Sequence, residues 1–251
     1  MSAIARQQTI VDTTIRHGEC SVSGLAEELQ VSEMTIRRDL SELSAQGKII
    51  RTHGGAAPAG NVMFQFSFLE RTREQSVRKR EIAEKATRQV QDGMSVILDS
   101  GSTTLAIAQT LRSRNDLTVI TTSLPIASEL QYSKDIDVIL LGGHLRQDTP
   151  DLAGALTLKS LAALSADIAF IGCDALDLDG NAYNASVEVA HLLAAMADVA
   201  EKTYLVADSS KIGRKELALL GNIADWNGLI TDNKCPPEAR TELKKQNVTL
   251  I

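Results

Sequence analysis

Apolar residues recur at helical spacing through the first fifty positions and gather into short continuous runs beyond position 90. Ile4, Ile10, Val11 and Ile15 predict a helix over 3–17, ended by His17-Gly18. Ser23 is the expected cap of a second helix, in which Leu25, Ala26 and Leu29 pack against the first. Ile36, Leu40 and Leu43, four and three residues apart, give a third helix its apolar face. Ser32 caps it, and Glu33 stands in the first turn, where a carboxylate favours the positive end of the helix dipole. Met34 and Arg38 fall on the opposite, polar face, with Thr35 and Arg37 at its flanks. Gly47 ends the helix, Lys48 to Arg51 alternate as a short strand, and Gly54-Gly55 supplies a turn. Two short helices joined by a tight turn and followed by a hairpin make a winged helix-turn-helix over residues 1–57.

The uncharged run AAPAGN at 56–61 predicts a linker, so residues 58–75 are expected as linker and arm and 76–251 as a second domain. Phe64, Phe66 and Phe68 alternate as an extended segment whose aromatic face packs on a domain or a partner subunit. Residues 70–90 mix Arg and Lys with Glu around Val77, Ile82, Ala83 and Ala86, which predicts a surface helix with a solvated face. Six apolar runs follow: Met94–Leu98, Leu117–Thr121, Ile136–Leu141, Ile168–Ile171, Tyr204–Ala207 and Leu229–Thr231. Near-continuous Val, Ile and Leu mark strands covered on both faces, so the second domain is expected as a Rossmann-like α/β layer structure.

In such a sheet, ligands bind beyond the carboxyl ends of the strands. The first run is followed by Asp99, Ser100, Gly101, Ser102, Thr103 and Thr104 and then by a helix, which places hydroxyls and backbone N–H groups at a positive helix end. That can cradle a phosphate, or it can be an ordinary strand-to-helix turn with Ser and Thr caps. The loop lacks both the GxxxxGK[ST] and the GxGxxG strings, which speaks against ATP and NAD. Thr122-Ser123, Gly142-Gly143 with Arg146, Gly172-Cys173-Asp174 and Asp208 to Lys211 stand after the other strands. Small residues permit close approach, Asp174 could accept sugar hydroxyls, and Arg146 and Lys211 could meet a phosphate. A sugar phosphate satisfies all of these. His144 and His191 are read as a loop residue and a helix residue.

Charge alters the picture locally. The whole chain carries −6, divided as −1 over 1–57, +3 over 58–88 and −8 over the remainder. The first domain is therefore no general polyanion binder, yet between Met34 and Gly55 four basic residues face two acidic ones. Adjacent arginines on an exposed helical face can enter a major groove, since guanidinium matches the acceptor pair of guanine and also pairs with phosphate; a solvated amphipathic helix would look the same. Cys20, Cys173 and Cys235 have no paired spacing, which predicts neither a zinc site nor a disulfide framework and fits a reducing cytoplasm. The N-terminus lacks the apolar core of a signal peptide and no run reaches the length of a membrane span, so a soluble protein without membrane partners is expected.

Val31-Ser32, the run Thr35-Ile36-Arg37-Arg38-Asp39-Leu40, Leu43, Gly47, Arg51 and His53-Gly54-Gly55-Ala56 together resemble the DeoR family of bacterial transcriptional repressors. DSGSTT at 99–104, LGG at 141–143, DIAFIGCDAL at 167–176 and ADSSK at 207–211 resemble the effector domain of that family, which is similar to ribose-phosphate isomerases. The resemblance implies a sensor that binds a phosphorylated sugar at Ser100 to Thr104, Asp174 and Lys211 and then leaves its operator. Two positions depart from the family pattern: Thr122 stands where Asn is usual, and Leu193 where a basic residue is common. Residues and resemblance together assign operator DNA to Ser32, Met34, Thr35, Arg37, Arg38, Lys48, Arg51 and His53. They assign the effector to Asp99 through Thr104, Thr122, Ser123, Gly142, Gly143, Arg146, Asp174 and Lys211. No metal and no cofactor are expected. One reading helix covers only a half-site, so a homo-oligomer, dimer or tetramer, is expected, assembled by the second domain. A sugar-phosphate isomerase-like enzyme with an accessory DNA-binding domain is the alternative, and an architectural DNA-binding protein without a ligand is a third possibility.

Overall fold

Two serines and an arginine–aspartate pair organise the N-terminal unit of the computed structural model, which describes residues 2–59, 68, 70–147 and 149–251. The chain divides into two compact units, 1–70 with 147–149, and 71–146 with 150–251. In the first, α1 (Ala3–His17) precedes β1 (Cys20–Ser21), α2 (Val22–Leu29), α3 (Glu33–Ala45), β2 (Ile49–Arg51) and β3 (Gly55–Pro58). Ser21 rather than Ser23 caps α2: it ends an extended strand, and its hydroxyl accepts from the Gly24 N–H at 3.0 Å. Gln30 ends α2 in the left-handed region at φ 52°, and Ser32, accepting from the Thr35 N–H at 3.2 Å, starts α3. Ile36, Leu40 and Leu43 are buried with Ile10, Val11, Val22, Leu25 and Ile49, as the spacing predicts.

One charged side chain enters that core. Asp39, from the inner face of α3, is 3% exposed and accepts from Arg6 Nε at 2.6 Å and Nη2 at 3.2 Å, with Gln7 Nε2 at 3.3 Å. A buried carboxylate needs such partners, and here both come from α1, so the pair fixes α3 against its support helix.

The wing is larger than a hairpin. β3 lies between β1 and β2 in an antiparallel sheet, with Cys20 opposite Ala56 and Ile50 opposite Ala57. Ala56 to Pro58, expected to begin the linker, thus form the central strand; alanine and proline carry little strand signal, and tertiary pairing overrides it. Phe68 is helical and buried, in place of the extended arm, while Phe64 and Phe66 lie outside the described residues.

In the second unit α4 (Ser76–Thr87) leads into β4 (Ser95–Leu98), α5 (Ser102–Leu111), β5 (Leu117–Thr121), α6 (Leu124–Leu130) and β6 (Ile136–Leu140). After β7 (His144–Leu145) and β8 (Leu152–Ala153) come α7 (Ala155–Leu161), β9 (Ala166–Ile171), β10 (Ala175–Leu176), β11 (Asn181–Asn184) and α8 (Val187–Asp198). The chain continues through β12 (Ala200–Val206), β13 (Ala218–Asn222) and β14 (Gly228–Ile230) to α9 (Pro237–Lys245). The six apolar runs become one parallel sheet in the order β14-β12-β9-β4-β5-β6. Two small antiparallel sheets, β7-β8 and β10-β11-β13, were not announced by the pattern; their strands are only two to five residues long.

Helix α4 keeps a solvated face at Ser76, Arg80 and Glu84, but two residues depart from the expected division. Lys79, Ile82, Ala83 and Ala86 make a buried stripe at i, i+3, i+4 and i+7, whereas Val77 is 81% exposed. Among the described residues no helix is long and apolar enough to cross a membrane.

The close pairing of β1 with β3 rests on one glycine. A Cβ at Gly55 would lie 1.9 Å from the Cys20 carbonyl oxygen and 3.0 Å from the Ser21 Cα. Gly55→Ala is therefore expected to part the wing strands and to lower the stability of the N-terminal unit by about 1–3 kcal/mol, the usual cost of overpacking. Denaturant unfolding followed by a probe in residues 1–57 checks it; an unchanged midpoint would mean that the strands separate without penalty.

Candidate functional site

The outer face of α3 carries the side chains that the apolar spacing left outside. Met34 is 74% exposed, and the Arg37 and Arg38 side chains are 52% and 83% exposed. Each arginine leans on a glutamate one turn away: Arg37 Nη2 to Glu33 at 3.0 Å, Arg38 Nε to Glu42 at 3.2 Å. Exposed pairs of this spacing stabilise a helix by only about 0.2–0.5 kcal/mol, so they orient the guanidinium groups without committing them. Arg51 on β2 donates to Ser41 Oγ at 2.8 Å and ties the wing to α3, while Lys48 and His53 are exposed. Ser32 and Thr35 differ: their hydroxyls bond each other at 2.9 Å and set the start of the helix.

In the second unit, Asp99 ends β4 with its carboxylate turned inward, 3% exposed. One oxygen accepts from Gly101 N at 2.8 Å and Thr104 Oγ1 at 2.5 Å, the other from Gly172 N at 2.6 Å. Burial raises this carboxyl above its ordinary value, while the three donors and the nearby Lys211 ammonium pull it back. Asp99, Gly101 and Thr104 therefore build the loop; their polar groups are spent on one another. Thr103 is buried beside them.

The other predicted ligands gather instead around residues 151–153. Thr122 and Ser123 are buried; the Thr122 carbonyl accepts from Leu152 N at 3.1 Å, and the Ser123 hydroxyl caps α6 through Ile126 N at 3.3 Å. The Gly142 carbonyl accepts from Thr157 Oγ1 at 2.8 Å, and a Cβ at Gly143 would stand 2.1 Å from that same hydroxyl, so this glycine pair serves close packing. Arg146 pairs with buried Asp151 at 3.4 Å, and Ser100 donates to the same carboxylate.

Ser102, Asp174 and Lys211 do converge. They line a cleft of about 270 Å³ with Arg71, Glu74, Gln75, Lys79, Asp208, Ser210 and Arg214. Ser102 opens α5, whose N-cap Gly101 offers no side-chain acceptor, so the first N–H groups of a ten-residue helix point from the loop without a cap. Lys211 donates to the Cys173 carbonyl at 2.5 Å, and one Asp174 oxygen accepts from Ala185 N at 3.0 Å. Asp208 is buried and engaged by Ser210 N at 3.0 Å, with Arg78 Nη1 at 3.9 Å. Cys173 is buried, and desolvation pushes its thiol up to about 12, which leaves it inert as a nucleophile.

Lys79, like Arg71 and Arg214, lines the cleft without having been singled out by the sequence reading. It is 6% exposed, donates to the main-chain carbonyls of Arg71 and Glu74, and lies close enough to Asp208 and Lys211 to feel both charges. Burial lowers its ammonium below the ordinary lysine value; Asp208 raises it and Lys211 lowers it further. Its signal was present: a lysine in phase with Ile82, Ala83 and Ala86 is a cation on a buried stripe.

Residues 6–59 match the DeoR-like helix-turn-helix domain and residues 74–233 the DeoR C terminal sensor domain. The chain is 34% identical to the uncharacterized HTH-type transcriptional regulator YulB of Bacillus subtilis, over 100% of this chain and 98% of that one. It is 30% identical to the glycerol-3-phosphate regulon repressor of Escherichia coli K12, over 100% and 99%. Among solved structures, ribose 5-phosphate isomerase A of Methanocaldococcus jannaschii aligns with a TM-score of 0.40 at 20% identity, covering 53% of each chain; no activity follows from so slight a likeness.

If Asp99 is a clamp, its removal acts on stability first. Asp99→Ala leaves the half-buried Gly101 and Gly172 N–H groups without their acceptor and is expected to cost about 1–3 kcal/mol in the unfolding of the second unit. Equilibrium denaturation reads this directly. Unchanged stability with loss of ligand response alone would make Asp99 a contact group instead.

Proposed function

Because the chain is a DNA-binding transcriptional regulator belonging to the DeoR family, we propose that it holds an operator through α3 and the wing and is released when a small phosphorylated sugar fills the cleft at the strand ends. The observation that carries this reading is the convergence of Lys79, Lys211 and the uncapped start of α5 on one cleft. Two ammonium groups and a positive helix end suit a phosphate dianion, and Asp174 stands where it can accept a hydroxyl of the ligand. At about 270 Å³ the cleft fits a small ligand better than a nucleotide. The E. coli relative is a glycerol-3-phosphate regulon repressor, and glycerol 3-phosphate is a compound of that size and charge.

On DNA, Arg38 and Met34 face the groove, Arg37 and Lys48 meet the backbone, and His53 extends the wing. Since one α3 covers a half-site, the working form is at least a dimer joined through the second unit, acting in the cytoplasm.

Arg38→Ala should weaken operator binding by about 1–3 kcal/mol and flatten discrimination among operator variants. Equal losses on operator and random DNA would reduce Arg38 to a phosphate contact. For the cleft, Lys211→Glu sets a negative charge against the phosphate while leaving α3 untouched, so operator affinity is expected to survive and the response to vanish. The measurement is operator affinity of both proteins across phosphosugars and their unphosphorylated counterparts at one salt concentration, since backbone contacts are salt-dependent. Unchanged potency in the mutant would remove Lys211 from the sensor.

A further inference from the structure

Lys79 has a second set of bonds that a ligand contact does not require. Its ammonium reaches back over the first turn of α4 to the carbonyls of Arg71 and Glu74, the latter at 2.8 Å. Arg71 is the first residue of the second unit, so these carbonyls belong to the stretch by which the chain arrives from the DNA-binding unit. That stretch is not otherwise at ease. Gln75, the N-cap of α4, sits at φ 52° and ψ 26°, in the left-handed region that a glutamine side chain disfavours, and it makes no side-chain cap. A cation in the first turn of a helix also faces the positive end of the dipole, the unfavourable orientation.

Resting on the phosphate reading of the cleft, we propose that Lys79 is a positioning residue with two exclusive sets of partners. Without ligand its ammonium holds residues 71–75 in their strained turn; a phosphate in the cleft draws it away and frees them. The exchange runs in that direction because a peptide carbonyl is a neutral acceptor and a phosphate dianion a charged one, so only the phosphate adds a full opposite charge to the ammonium's hydrogen bond. Lys79 and the strained Gln75 line the same cleft as Lys211, so no long path is needed. The ligand is sensed where the chain enters the unit, and what it changes is the tether of the operator-binding unit.

The test is amide hydrogen exchange on the full-length protein, with glycerol 3-phosphate and a panel of hexose and pentose phosphates as probes, read beside operator affinity. In the wild type, the phosphosugar that slows exchange in the loops at 99–104 and 208–211 is expected to speed it at 71–75. Lys79→Met keeps the buried stem and removes the ammonium: residues 71–75 should then exchange at the liganded rate without any ligand, and operator affinity should already be reduced. A lysine that only contacts ligand would leave both unchanged in the unliganded mutant, and that result overturns the proposal. Gln75→Asn provides a folded second variant, since asparagine accepts the left-handed region more readily; it should favour the held turn and raise the half-effective phosphosugar concentration several-fold. Slowed or unchanged exchange at 71–75 in the liganded wild type also overturns the exchange of partners, while protection of the strand-end loops keeps the cleft assignment standing. If no phosphosugar protects those loops, both readings fall together.

Discussion

One buried carboxylate fixes the geometry on which the cleft depends. Asp99 bonds to Gly101 and Thr104 at the start of α5 and to Gly172 at the end of β9, so two neighbouring parallel strands cannot end independently. The fit leaves no slack, since a Cβ at Gly101 would lie 3.0 Å and one at Gly172 2.9 Å from its oxygens. The next residue, Cys173, presents the carbonyl that receives Lys211. A chain of bonds thus runs from β4 through β9 to the loop after β12 and places a lysine at the mouth of the sheet. Positioning of this kind is what an anion site needs, because a point charge a few ångströms out of place loses most of its advantage once water intervenes.

The N-terminal unit uses the same division of labour between buried and exposed charge. Asp39 is locked to Arg6 inside the core, whereas the next two charged pairs on α3, Arg37 with Glu33 and Arg38 with Glu42, stand in water. Breaking the first would strand a charge in an apolar setting. Breaking either of the others forfeits about 0.2–0.5 kcal/mol, less than a good bidentate contact with a base returns. The helix is held firmly by one carboxylate and offers its arginines freely because their own carboxylates hold them weakly.

What could be read from the sequence follows from how strongly each element depends on its own residues. The strands of the large sheet were legible because most are buried on both faces, which demands continuous Val, Ile and Leu; β6, at the edge, is mostly apolar although only Ile136 of it is buried. The apolar face of α3 was legible for the same reason at a different period. Strand β3 was not, since Gly55, Ala56, Ala57 and Pro58 owe their conformation to the partners on either side. The site was half legible. Ser102, Asp174 and Lys211 meet in the cleft, but Thr122, Ser123, Gly142 and Gly143 satisfy main-chain groups and close packing, and Arg146 is turned to Asp151. Small and hydroxylated residues at a strand end look alike whether they cap a helix or face a ligand. Lys79 was hidden by the opposite ambiguity, a charged residue counted with the solvated ones although its phase put it inside.

On the proposed exchange of partners, that buried lysine also sets the scale of the switch. Lys79 feels Lys211 and Arg71 as like charges and Asp208 and Glu74 as opposite ones, and burial already disfavours its ammonium. A phosphate bound in the cleft would be within reach of both lysines at once. Only the part of its binding free energy that differs between the operator-bound and released forms can move the protein off DNA. A tenfold change in operator affinity needs about 1.4 kcal/mol of such difference, which is well within what exchanging neutral carbonyl partners for a charged phosphate supplies at a single desolvated ammonium. A ligand with one phosphate and a few hydroxyls is then sufficient, and a larger site would add affinity for both forms without adding control.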